Sequence, residues 1–112
     1  MESAYSTSGS PVLLFLALAL GAPLGEELFF RGLLLGGLRA VGAPLVVSVG
    51  VTSLLWAMLH VQYDLYGIAT IFVMGLLLGV ARHASGSLVP PLVIHVGGNT
   101  VAFVQTLLVA NG

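Results

Sequence analysis

The chain has 112 residues, 58% hydrophobic and 6% charged, with a formal net charge of −1 and a mean hydropathy of +1.12. Soluble domains carry about 25% charged residues, so a water-soluble globule is excluded. The lack of lysine and of any basic run excludes a nucleic-acid partner, and the lack of cysteine excludes disulfides and thiolate metal sites. What remains is a single all-α membrane domain, a polytopic bundle of about four transmembrane helices.

Residues 1–11 (MESAYSTSGSP) form a polar lead-in without the positive region of a signal peptide. The membrane domain spans 12–110. Its first apolar segment, residues 12–38, contains Glu26, Glu27 and Arg31. An ionised side chain at mid-membrane costs about 2.5–3.5 kcal/mol on insertion scales, so three within one turn and a half imply a purpose. Pro23, between Gly21 and Gly25, removes a backbone donor just before the glutamates, and a kink or break facing a wet cavity is expected there. Glu27 and Arg31 stand four apart and pair on one helical face, in the favoured order. Glu26 points about 100° away, into a reaction cavity. The bland alternative is a structural ion pair that fixes helix register.

The second segment, 44–61, follows the break RAVGAP and ends in WAMLH, with Trp56 and His60. The third, 65–81, is the shortest and the least secure span. It follows QYDLY, whose Asp64 is expected in a solvated loop. Trp56, Tyr63 and Tyr66 fit an interfacial aromatic belt. Arg82 and His83 are expected in the loop RHASGS, also solvated. The fourth segment, 88–110, carries His95 and Asn99 as HVGGN, again four apart on one face. The pairs Gly32/Gly36 and Gly75/Gly79 have the spacing that lets helices approach closely. If all four segments cross, Arg39 and Arg82 lie in loops on the same side, the cytoplasmic one by the positive-inside rule.

Polar groups in hydrocarbon need one another, and convergence of Glu26, Glu27, His60, His95 and Asn99 on one site is the simplest arrangement. A desolvated carboxylate can activate water, and histidine can share that work. An asparagine amide can donate to a developing oxyanion. These are parts of a peptide hydrolase without a covalent nucleophile. Alternatively His60, His95 and Glu26 are ligands of a divalent cation such as Zn²⁺, although HExxH is absent. One difficulty stands against a single site. With straight helices His60 lies ~25 Å from the loop end of its span and His95 ~10 Å. Tilt, a break at Pro23 or a shorter second span has to reconcile them.

In order, EELFFR at 26–31, Trp56 with His60, and His95 with Asn99 match the patterns EExxxR, FxxxH and HxxxN, with tryptophan in place of the usual phenylalanine. They resemble the CPBP family of intramembrane proteases (CAAX protease/Abi, Rce1-like). This resemblance implies a multi-pass protein of a prokaryotic cell membrane, acting on prenylated CAAX proteins or bacteriocin-like leader peptides. It implies that Glu26 activates water with support from His60, that Glu27 and Arg31 organise the site, and that His95 and Asn99 stabilise the oxyanion. Members are described both as metalloproteases and as metal-free glutamate enzymes. The motif-bearing core is short for the family, so a homo-oligomer, a partner or a longer chain would complete the cavity. Two other functions fit the composition: a non-catalytic immunity or toxin-binding membrane protein, and a small ion or proton carrier.

Overall fold

The computed structural model describes residues 10–111, and residues 1–9 of the expected lead-in lie outside the described residues. Four helices and no strand occur among the described residues: α1 Pro11–Ala40, α2 Leu45–Met58, α3 Leu65–Ser85 and α4 Val89–Asn111. The all-helical membrane bundle expected from composition is the fold. Three helices, α1, α3 and α4, are long and apolar enough to cross a bilayer.

The short span is the second, not the third. With 14 residues, α2 rises only about 21 Å against a hydrocarbon core of about 30 Å. Its end is set locally. Leu59 and His60 turn their backbone N–H groups to the carbonyls of Trp56 and Ala57, three residues back, tightening the last turn. The third segment instead gains a turn beyond its apolar run. Asp64 caps its start by accepting from Gly67 N–H at 2.8 Å, and Gly86, at φ +69°, closes its end. Arg82 and His83 are therefore helical residues of the last turn of α3, not loop residues.

Ser10 caps α1 through its hydroxyl, and Pro11 sits in the first turn, where no donor is needed. The helix then runs unbroken through Pro23. The expected break is replaced by a change of winding: Leu16–Gly21 and Leu28–Leu34 are π-helical, and the α-helical stretch Ala22–Glu27 between them carries the glutamates. Ala22 N–H bonds to the Ala17 carbonyl, five residues back, and Pro23 has no N–H. The Leu18 carbonyl thus loses both donors that a continuing helix would offer it.

Helices α2 and α3 are the most closely packed pair. A Cβ at Gly79 would come within 2.9 Å of Val49, and one at Gly75 within 3.0 Å of Ser53, so these two glycines set the approach. The other predicted pair is only half used: Gly32 faces Leu88, whereas nothing lies within 4 Å of a Cβ at Gly36. Phe30, Trp56 and Leu78 form the buried apolar centre, with Leu34 and Ile71 against it. Phe15 on α1 meets Phe103 on α4 edge to face at 5.6 Å. Trp56 is only 4% exposed, so it belongs to this core and not to an interfacial belt. Large apolar side chains such as Leu33, Val46 and Val93 face outward, as lipid contact requires.

Candidate functional site

The two glutamates have separate surroundings. Glu27 is buried, and its Oε2 accepts from Arg31 Nη1 at 3.0 Å and from His95 Nδ1 at 2.6 Å. A carboxylate only accepts, so the His95 ring is in the form that carries a proton on Nδ1. Arg31 is fully buried and also donates from Nη2 to the Gly75 carbonyl at 3.2 Å, joining α1 to α3. A Cβ at Gly75 would fall 3.1 Å from that Nη2, so glycine leaves the space the guanidinium occupies. Removing one partner of a buried ion pair costs about 3–5 kcal/mol, which makes Arg31 and Glu27 a structural clamp whatever else they do.

Glu26 is half-buried. Its Oε1 accepts from the Trp56 indole N–H at 2.7 Å, and its second oxygen takes no hydrogen bond among the described residues. Glu27 also has one unpartnered oxygen, Oε1, but that atom is buried, so Glu26 is the carboxylate whose spare oxygen is accessible.

Trp56 is the hub of the cluster. The Arg31 guanidinium lies over its ring, 4.5 Å from the centroid. The rings of His60 and His95 each meet it nearly at right angles, at 5.3 Å. Glu26, Glu27, Arg31 and His95 thus converge around one indole. His60 belongs to the next layer out. It sits past the end of α2, half-buried, with Nδ1 2.8 Å from the Trp56 carbonyl and its ring beside exposed Tyr63. The offset in depth between His60 and His95 is bridged by Trp56, one turn earlier in the chain, rather than closed by direct contact. The sequence signal for this hub was the four-residue spacing of Trp56 and His60, which puts both rings on one face.

Asn99 lies one turn beyond His95 on α4. Its Nδ2 donates at 3.0 Å to the Leu18 carbonyl, the group orphaned by π winding and Pro23. One amide N–H is used in this way, and the amide has a second. Five buried side-chain polar atoms lack partners among the described residues: Arg82 Nε near the end of α3, and Glu27 Oε1, Arg31 Nε, Thr52 Oγ1 and Ser53 Oγ. The last four lie on α1 and α2, the helices that carry Glu26, Arg31 and Trp56.

The donor set fits a metal poorly. Among the described residues no three His, Cys, Asp or Glu side chains gather as ligands. His60 and His95 each pack a ring edge to face on the Trp56 indole, and His95 Nδ1 is already taken by Glu27. The set His60, His95 and Glu26 is therefore not assembled for a divalent cation, and no step through one follows from this arrangement.

The sequence places this geometry in a known context. Residues 8–101 match the family described as type II CAAX prenyl endopeptidase Rce1-like. An Escherichia coli protein described as an uncharacterized 24.3 kDa protein is 36% identical over 92 residues. The match covers 80% of this chain and 42% of that relative, so the chain spans less than half of the relative's length. No solved structure matches the chain.

Proposed function

The chain belongs to the Rce1-like family of type II CAAX prenyl endopeptidases, and from that premise we propose that it hydrolyses peptide bonds within the membrane, with Glu26 as the base that activates water. The observation that carries this is the division between the glutamates. Glu27 is buried between Arg31 and His95, whereas Glu26 is reachable and holds one oxygen ready.

In this mechanism Glu26 takes a proton from water as the water oxygen adds to the scissile carbonyl carbon. The carbonyl oxygen becomes an oxyanion. His95, steered by Glu27 through Nδ1–H, presents Nε2 to that oxygen and stabilises it when Nε2 is protonated. The second N–H of Asn99 adds to the same task. Collapse of the intermediate breaks the C–N bond, and the proton held by Glu26 passes to the leaving amine. Trp56 positions Glu26 by its indole N–H, and His60 holds the outer face of that ring. Substrates in this proposal are CAAX-type prenylated proteins or leader-like peptides.

The test is cleavage by the reconstituted protein of a panel of prenylated CAAX peptides and leader peptides. Wild type should cut at least one class, and Glu26→Gln should lower the rate about 10²–10⁴-fold, the usual contribution of a general base. Cleavage unchanged in Glu26→Gln removes Glu26 from this role.

A further inference from the structure

The chain's three arginines are its only fixed side-chain cations. All three line one cavity of ≈ 270 Å³, together with His83, Leu35 and Leu45. The cavity lies where the loop-side ends of α1 and α3 meet the start of α2. Arg39 and Arg82 come from those helix ends, and Arg31 lies about 12 Å further along α1. Among the described residues no acidic side chain lines it. The described carboxylates are elsewhere: Glu26 and Glu27 in the hub, Asp64 capping the opposite end of α3.

Among the described residues the charge in this cavity is only partly balanced. Arg31 is paired with Glu27, but Arg39 and Arg82 have no carboxylate partner among the described residues. Arg39 donates instead to the Ala43 carbonyl at 3.1 Å. Two buried donors also stand without an acceptor, Arg31 Nε on a fully buried side chain and Arg82 Nε. A buried unsatisfied donor costs about 1–3 kcal/mol, more when charged, so the arginine side chains around this cavity are under-satisfied among the described residues, and an oxyanion beside them relieves that.

We propose that this cavity binds the phosphate of an anionic membrane lipid. The position decides the source of the anion. The cavity lies at the ends of membrane-crossing helices, and Leu35 and Leu45 give it apolar walls beside the exposed Val41 and Val46. A phosphodiester in the headgroup layer meets Arg39 and Arg82 there, with its glycerol and chains on the apolar side. A zwitterionic headgroup brings its own cation to a site already rich in uncompensated cations and is disfavoured. Because Arg31 floors the cavity and also clamps Glu27, the lipid is coupled to the hub through one guanidinium.

The test uses the full chain purified in detergent, with native mass spectrometry of lipid retention. Phosphatidylglycerol is expected to be retained about tenfold over phosphatidylcholine. Arg39→Gln with Arg82→Gln should abolish the preference, and Arg39→Lys with Arg82→Lys should keep most of it. If the glutamine pair fails to fold, the lipid comparison on wild type and the lysine pair still decides. Equal retention of the two lipids overturns the proposal, as does a preference that survives the glutamine pair. Displacement of phosphatidylglycerol by equimolar inorganic phosphate, or by a short peptide with a free C-terminal carboxylate, also overturns it, by assigning the cavity to a soluble anion or a peptide end.

Discussion

The hub around Trp56 and the arginine-lined cavity are two polar regions that share one side chain, and they are built on opposite principles. In the hub almost every strong group has a partner: Glu27 has Arg31 and His95, Glu26 has the indole N–H, and the Leu18 carbonyl has Asn99. In the cavity Arg39 and Arg82 gather without a carboxylate partner among the described residues. A membrane interior tolerates charge when it is matched within the protein, so a matched cluster can be complete in itself. An unmatched one points outward to something it binds. The few groups left unpartnered in the hub, above all the second oxygen of Glu26, then acquire meaning as the places where chemistry can enter.

That contrast can be broken at several points. Among changes in the hub, the largest effect is expected from Glu26→Gln, with its about 10²–10⁴-fold loss of cleavage and helical circular dichroism at the wild-type level. A similar loss of helical structure would instead make Glu26 part of the matched framework. Next is Arg31→Met, which strands Glu27 in the core and should lower unfolding free energy by about 3–5 kcal/mol in a detergent titration. A loss below 1 kcal/mol would mean that His95 alone balances Glu27.

Asn99→Ala should cost about 1–3 kcal/mol by stranding the Leu18 carbonyl. In a Pro23→Ala background the restored N–H can take over, so the same substitution should cost measurably less. A strictly additive double-mutant cycle would separate Asn99 from the proline. Gly79→Ala should cost about 1–3 kcal/mol through overlap with Val49. Gly36→Ala, in open space, should stay within about 0.5 kcal/mol.

The bundle was legible in the sequence because its signal is crude: long apolar runs and little charge. The pairing of Glu27 with Arg31 was legible because a four-residue spacing fixes a face. Three things were hidden. Pro23 signals a break, yet α1 absorbs it by π winding and an acceptor filled from α4, and the Asn99 contact lies 81 positions away in sequence. Trp56 has the composition of a belt residue, and its place as a hub comes from side chains of α1 and α4 that meet its ring. The C-terminal extension of α3 through Arg82 was hidden because apolarity ends before the helix does; the cap at Gly86, not hydropathy, sets the boundary. The arginine cavity could be inferred only as far as two loops sharing one side.

The indole at the centre of the hub is the chain's only tryptophan. Its excited state is sensitive to nearby charge, and protonated imidazoles quench it. Glu26, Arg31, His60 and His95 all touch that one chromophore. The protein therefore carries a built-in optical gauge of its own polar centre. Moving a proton onto either histidine, or drawing Glu26 toward a substrate, registers in the emission of an unlabelled sample.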